Sequence, residues 1–194
     1  APYDGYMAAQ RSLSGTRYKP LLHVPCVGMY WTMASNDEVA EKDELARVAE
    51  ATMMARALPD LSIVIDNFVE LDRGYCSCWG LVDRMYNPKD GSRVVRTLNS
   101  LLPQGLRNLA GQDTTGGRVL SAESEGGMVL LMSGNRVLTS GECNDTFPGG
   151  IADKQGTLID LATGGEENTS LRKAIAEQAV SESPRSPALL LLKG

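Results

Sequence analysis

Glycine is distributed unevenly along this 194-residue chain, and the asymmetry limits the folds open to it. Residues 1–102 contain 6 of the 20 glycines, and residues 103–194 contain the other 14. Helix interiors disfavour glycine because its backbone loses the most conformational freedom on folding, whereas turns between strands favour it. We therefore expect helices in the first half, short strands joined by turns in residues 118–194, and a connection over residues 103–117.

Helical and strand-like patterns alternate in residues 1–102. The predicted order is helix 4–13, strand 20–27, a helix from Asn36 or Asp37 to just before Pro59, strand 61–65 and a helix from Asp90 to Leu102. One buried face of the second helix is defined by apolar or small residues at helical spacing, namely Leu45, Val48, Ala49, Thr52 and Met53. Both strands are predicted to be buried apolar runs, and the helix–strand alternation implies parallel strands covered by helices.

The second half reads as an antiparallel module. Strands are predicted over residues 118–122, 128–132, 136–139, 157–161 and 188–193. Glu125-Gly126-Gly127 is a hairpin-like separator between two of them. Residues 171–180 have helix-forming composition, yet their position between strands also allows an extended segment; propensity favours the helix. The module as a whole is predicted to be a small antiparallel β-sandwich.

Charge and hydropathy exclude two classes of partner. The net charge is −5 and the isoelectric point is about 5.0, which argues against nucleic-acid binding through clustered cations. The longest apolar run, Ala188–Leu192, is far shorter than the roughly 20 residues of a membrane-spanning helix. No signal-like segment opens the chain at Ala1. A soluble globular protein without nucleic-acid or membrane partners is predicted.

Cysteine and histidine give no metal pattern. The four cysteines, Cys26, Cys76, Cys78 and Cys143, match no zinc-binding spacing, and His23 is the single histidine. We therefore predict no metal and no cofactor. His23 and Cys26 lie three positions apart in a predicted strand and point to opposite faces, which disfavours a nucleophile pair. His23 is interpreted as a hydrogen-bonded core residue.

Several segments resemble the end of the catalytic barrel in the large clan of retaining glycoside hydrolases with a (β/α)8 fold. WGLVDRMYNPKDGSRVVRTLNSLL (79–102) is similar to the closing segment of those barrels, and KPLLHVPCVG (19–28) resembles their seventh strand. GTLIDLATGG (156–165) and SPALLLLKG (186–194) are similar to the β-sandwich that often follows. The resemblance implies an α/β plus all-β chain: the last βα units of a TIM-type barrel, then a small antiparallel β-sandwich.

The resemblance also implies an incomplete catalytic pair. In that clan a glutamate at the tip of the seventh strand is the nucleophile, and a second carboxylic acid comes from the fourth strand. Here the nucleophile position falls on Pro25 or Cys26, and the fourth strand would belong to an N-terminal part outside this sequence. Hydrolysis of a glycosidic bond is therefore expected to need residues beyond this chain.

Two groups of residues are candidates for a carbohydrate site. Acidic residues follow the second predicted strand, where the loops of a barrel form its active-site face: Asp66, Glu70 and Asp72. Glu70 is the best single candidate for a catalytic role. Aromatic residues that follow predicted strands could stack on sugar rings: Trp79, Trp31 and Tyr30. The alternatives are solvated loop acids and aromatic rings packed between strand ends and helices.

Three functional hypotheses follow from these observations. The first is a carbohydrate-active, glycoside hydrolase-like chain that supplies substrate-contacting loops. The second is a non-catalytic carbohydrate-binding or structural assembly module, favoured by Pro25 and Cys26 at the nucleophile position. The third is an unrelated α/β protein. A partial barrel would leave strand edges exposed, so self-association or pairing with a missing N-terminal segment is expected.

Overall fold

The fold is known from a computed structural model that describes residues 2–24, 27–28, 37–65, 68–69, 77–78, 80–114, 117–134, 151–178 and 186–193. Within these ranges the α-helices are α1 (Pro2–Leu13), α2 (Asp37–Ala57), α3 (Asp90–Leu101) and α4 (Leu171–Gln178). The strands are β1 (Leu21–Val24), β2 (Val27–Gly28), β3 (Ser62–Ile65), β4 (Ser77–Cys78), β5 (Arg107–Thr114), β6 (Gly117–Ser124), β7 (Gly127–Gly134), β8 (Gln155–Asp160), β9 (Glu166–Ser170) and β10 (Ala188–Lys193). A 3-10 turn occupies Ile151–Asp153. The chain is a mixed α/β protein.

The first half contains a parallel strand pair connected by a helix, as the alternating pattern predicts. Strands β1 and β3 pair in parallel, with Leu21 opposite Ser62 and Val24 opposite Ile65. Helix α2 joins them, and its predicted face from Leu45 to Met53 is buried. Strand β3, α2 and α3 contribute side chains to one hydrophobic core. The helix–strand alternation of residues 1–102 is confirmed.

Helix α3 ends at Leu101, two residues before Pro103. Val94 and Leu98 are fully buried on its inner face. Leu102 leaves the helical conformation, with φ −68° and ψ 121°, because it precedes Pro103 and the proline ring disfavours the α conformation there. Its N–H still donates to the Leu98 carbonyl at 2.8 Å.

The second half forms a six-stranded open antiparallel sheet in the order β5-β6-β7-β10-β8-β9. The last strand, β10, therefore lies between β7 and β8 in the middle of the sheet. One face of the sheet, including Leu120, Leu131 and Leu189, packs into the core shared with α2 and α3. The opposite face, including Leu130 and Leu190, packs with Leu171 of α4. Because both faces are covered, β10 is apolar at every position from Ala188 to Leu192.

Some predicted elements differ from the structure. The predicted connection 103–117 contains β5, which pairs with β6 along the sheet. The strands predicted over 118–122, 128–132, 157–161 and 188–193 form, and residues 171–178 are helical, as propensity favoured. The predicted strand 136–139 lies outside the described residues. Within the described ranges a single six-stranded sheet is present, with neither a second large sheet facing it nor a closed barrel.

The prediction that both strands of the first half are buried is wrong. Leu21 is 67% exposed and Val64 is 49% exposed. Ile63 and Ile65 pack against the core, so the pair has one covered face. Leu21, Ser62 and Val64 share the other face because strand side chains alternate. Among the described helices, none is long and apolar enough to cross a membrane.

Candidate functional site

The six predicted site residues follow the carboxyl ends of the parallel pair in sequence. Tyr30, Trp31, Asp66, Glu70, Asp72 and Trp79 all lie outside the described residues, as do Pro25 and Cys26. Whether these side chains meet is therefore still a prediction. The structure does describe several of the segments that flank them.

Two backbone pairings join the flanking segments beyond the ends of β1 and β3. Strand β2 pairs with β4 in antiparallel fashion, with Val27 opposite Cys78. Val69 forms a parallel bridge with Val82, whose N–H donates to the Phe68 carbonyl at 2.9 Å. Trp79 directly follows β4, and Glu70 directly follows Val69. The described segments next to Glu70 and Trp79 in sequence are thus each held by backbone pairing.

The segment after Trp79 is a turn organised by one carboxylate. Asp83 accepts hydrogen bonds from the backbone N–H groups of Met85 and Asn87, each at 2.8 Å, and from the Asn87 side-chain amide at 2.7 Å. These hydrogen bonds from Asn87 lower the pKa of Asp83. Tyr86 adopts a left-handed conformation with φ 64°, and its side chain is exposed. A fixed turn therefore presents an aromatic ring to solvent in the segment that follows Trp79 in sequence.

A buried charge cluster, which sequence analysis did not predict, joins the two halves of the chain. Asp113, Arg118 and Ser133 lie opposite one another across β5, β6 and β7. Arg118 donates to both oxygens of Asp4 in α1 at 2.9 Å, and its Nε donates to Asp113 at 2.8 Å. Its Nη1 lies 3.8 Å from Oε2 of Glu50 in α2. We refer to Asp4, Glu50, Asp113, Arg118 and Ser133 as the Arg118 cluster.

The environment of the Arg118 cluster affects the ionisation of its two buried groups, Glu50 and Arg118, in opposite ways. Glu50 is 4% exposed and Arg118 is 9% exposed. Burial raises the pKa of Glu50, although the charge of Arg118 and a hydrogen bond donated by Ser133 oppose this effect. Burial would lower the pKa of Arg118, but its hydrogen bonds to Asp4 and Asp113 outweigh burial and raise it. The hydrogen bond that Arg118 donates to Asp4 lowers the pKa of Asp4. The cluster thus favours a charged guanidinium and disfavours ionised Glu50.

The raised pKa of Glu50 predicts a pH-dependent stability. The unfolded chain ionises Glu50 near its ordinary pKa, whereas the folded chain resists ionisation. The contribution to stability is therefore complete below the ordinary pKa and is lost as pH rises through the folded pKa. Glu50→Gln keeps an acceptor for Ser133 and removes the ionisation. We expect the Tm of Glu50→Gln, measured relative to the Tm of the parent chain, to rise by about 2 °C or more between pH 4 and pH 8.

Thermal unfolding at several pH values measures this difference. Glu125→Gln removes an exposed carboxylate in the turn between β6 and β7 and serves as the control. A Tm difference for Glu50→Gln that stays constant across this range would contradict the proposed ionisation penalty.

The Arg118 cluster has a signal in the sequence. Arg118, Leu120 and Ala122 alternate along β6 and share its helix-facing side, so an arginine lies among core positions. Buried arginine requires anionic partners, and nothing in the sequence identifies which acids supply them. The cluster can hold the helices on the sheet. Its guanidinium is already engaged by carboxylates, so it offers no open catalytic position.

Comparison with known proteins adds no assignment: no protein-family model matches this chain, and no curated protein sequence shows significant similarity to it. Within the described ranges no group of three or more histidine, cysteine, aspartate or glutamate side chains is arranged to hold a metal ion.

Proposed function

We propose that this chain is the C-terminal portion of a carbohydrate-active, glycoside hydrolase-like protein, with β1, α2, β3 and α3 as the last units of a (β/α)8 barrel. The single observation that carries the proposal is the parallel β1–α2–β3 unit with an antiparallel sheet packed directly on its helices. This order agrees with the resemblance of residues 79–102 to the end of such a barrel. The six-stranded sheet would be the accessory domain.

In this proposal the loops that follow β1 and β3 contact the sugar. The ligand-facing end of a barrel is the carboxyl end of its strands. Trp79, Trp31 and Tyr30 would stack on the flat C–H faces of sugar rings, and Asp66 and Asp72 would accept hydrogen bonds from hydroxyl groups. Glu70 is the candidate for a catalytic carboxylate. Because Pro25 and Cys26 stand at the nucleophile position, hydrolysis needs carboxylates from another part of the protein.

Replacement of Trp79 tests the proposal. We expect Trp79→Ala to weaken binding of a responsive glycan by roughly tenfold or more, since a buried aromatic contact often dominates a small interface. Isothermal titration calorimetry against a panel of soluble polysaccharides measures the affinity. Tyr18→Ala is the matched control because Tyr18 is exposed and precedes β1, at the opposite end of the strand. Thermal unfolding of both variants separates lost binding from lost folding.

A second candidate function is a non-catalytic assembly module. The observation that favours it is the face of the β1–β3 pair that carries Leu21 and Val64, both of which are exposed in the part of the chain that the structure describes. Isolated strand pairs with open edges tend to pair with another chain. Light scattering distinguishes the two candidates. A chain that binds no glycan and self-associates supports the assembly module, whereas a monomer that binds glycan through Trp79 supports the carbohydrate-active protein.

A further inference from the structure

The turn between Asp83 and Asn87 presents two adjacent large apolar side chains to solvent. Met85 is 80% exposed and Tyr86 is 69% exposed. Single apolar side chains at a surface are ordinary, but adjacent ones on one turn form a contact surface for a ligand or partner. The turn belongs to the segment that follows Trp79 in sequence.

Hydrogen bonds within the turn fix its tip. Both carboxylate oxygens of Asp83 are engaged there, because they accept hydrogen bonds from the N–H groups of Met85 and Asn87 and from the Asn87 side-chain amide. The N–H of Tyr86 donates to the Asp83 carbonyl at 3.0 Å, and the N–H of Asp83 donates to the Asn87 carbonyl at 3.0 Å. The backbone that carries the Tyr86 ring is therefore held in place.

Tyr86 occupies a backbone position that suits a smaller residue. Its φ is 64°, in the left-handed region, where glycine and asparagine are favoured and a bulky residue is an outlier. The side chain is 69% exposed, so burial of the ring offsets little of this conformational cost. Such conformations concentrate at ligand-binding positions, where a fixed side chain loses little freedom when it binds. The conformation of Tyr86 therefore indicates contact between its ring and a ligand.

The chemistry of the turn favours a flat apolar ligand. Asp83 already accepts three hydrogen bonds inside the turn, so a ligand lying on the turn gains contact area rather than new hydrogen bonds to this carboxylate. A sugar ring stacked here would bring hydroxyl groups that need partners. An aromatic ring needs none and gains additional attraction when it stacks on tyrosine, and the thioether of Met85 also favours aromatic neighbours.

Backbone pairing ties the turn to the segment that follows β3. The N–H of Val82 donates to the Phe68 carbonyl at 2.9 Å, and Val82 also forms a bridge with Pro88 on the returning leg of the turn. Because a chain spans at most about 3.6 Å per residue, Phe68 lies within about 11 Å of Ile65, the last residue of β3. The turn is therefore anchored near the carboxyl end of the parallel pair, which is the ligand-facing end of the proposed barrel.

We propose that the Tyr86 ring stacks on the aromatic aglycone of a glycoside whose sugar lies at the predicted site around Trp79. This inference rests on the proposed function and deepens it, because it names aryl glycosides as the ligand class. Tyr86 is a specificity-determining residue that contacts the part of the ligand beyond the glycosidic bond. It takes no part in bond cleavage.

Paired glycosides that differ only in the aglycone test the proposal. The probes are phenyl and methyl β-D-glucopyranoside, β-D-galactopyranoside and β-D-xylopyranoside, and isothermal titration calorimetry of the full chain measures each affinity. For the sugar that binds, we expect the phenyl glycoside to bind at least about fivefold more tightly than the methyl glycoside. Tyr86→Asn introduces a residue that tolerates the left-handed conformation and should remove most of this preference. Tyr86→Phe keeps the ring and should retain the preference.

Fluorine NMR locates the aromatic ligand independently of affinity. In protein labelled with 3-fluorotyrosine, the resonance absent from Tyr86→Phe reports on Tyr86, and the resonance absent from Tyr18→Phe reports on Tyr18. Tyr18 is the matched control because it is 64% exposed and precedes β1, at the opposite end of the strand. Phenyl glycosides and free phenol should shift the Tyr86 resonance and leave the Tyr18 resonance in place. Thermal unfolding of each variant separates a lost preference from a lost fold.

The outcomes separate this inference from the proposed function. A phenyl preference that survives in Tyr86→Asn, equal shifts at Tyr86 and Tyr18, or no shift at Tyr86 with any aromatic probe would overturn the inference. If phenyl and methyl glycosides bound equally and both depended on Trp79, the inference would fail while the proposed function stood. If phenol and phenyl glycosides shifted the Tyr86 resonance but no glycoside depended on Trp79, the aromatic contact would stand and the proposed carbohydrate site would fail.

Discussion

Gly156→Ala is expected to disrupt the middle of the sheet. Gly156 lies in β8 opposite Leu192 of β10. A Cβ atom there would overlap the carbonyl oxygen of Leu191 and stand 3.0 Å from its carbonyl carbon and 2.9 Å from Cδ2 of Leu192. The obstacle is mainly backbone, so it cannot rotate away, and β8 and β10 would have to separate. We expect a loss of about 3 kcal/mol or more in the free energy of unfolding, at or above the upper end of overpacking costs.

Urea unfolding of Gly156→Ala beside Gly126→Ala measures this effect. Gly126 lies in the turn between β6 and β7, and a Cβ atom there would meet nothing within 4 Å. We expect the control to change stability by less than about 0.5 kcal/mol, as most surface substitutions do. If Gly156→Ala were as stable as the control, β8 and β10 would not approach as closely as described.

The helices and the parallel pair were predictable because their signals are local. Leu45 to Met53 repeat at helical spacing, and the change between helical and strand-like patterns implies a parallel pair. The order of the large sheet has no such signal. Nothing local to Ala188–Lys193 indicates that the last strand inserts between β7 and β8, since this pairing joins residues far apart in sequence. Strand β5 was assigned to a connection because it contains Gly111 and few large apolar residues.

The predicted carbohydrate site and the Arg118 cluster differ in how much the sequence reveals. Candidate residues such as Glu70 and Trp79 were predicted from their positions after strands, and the structure describes residues next to them in sequence. The Arg118 cluster depends on acids from α1, α2 and β5 that meet only after the sheet packs on the helices. The cluster therefore arises from tertiary contacts.

Arg118→Met is expected to produce the second large loss of stability. Arg118 holds Asp4, Glu50 and Asp113 together, and Tyr3 lies 5.6 Å from its guanidinium. Methionine preserves much of the apolar stem but leaves Glu50 buried without its cationic neighbour. Removal of one partner from a buried ion pair costs about 3–5 kcal/mol. Asp4 and Asp113 are exposed, so their ion pairs contribute little to this figure.

A double-mutant cycle isolates the buried part of that loss. If the cost arises from uncompensated Glu50, Arg118→Met combined with Glu50→Gln should recover at least about 1 kcal/mol relative to the sum of the single changes at pH 8, because adjacent charges are coupled. At pH 4, where Glu50 is protonated, the recovery should shrink. Arg93→Met removes an exposed arginine paired with Asp90 within α3 and should cost less than about 0.5 kcal/mol. If Arg118→Met lost no more free energy of unfolding than Arg93→Met, the Arg118 cluster would not be what holds α1 and α2 on the sheet. Apolar packing between α2 and β7 would then have to hold them.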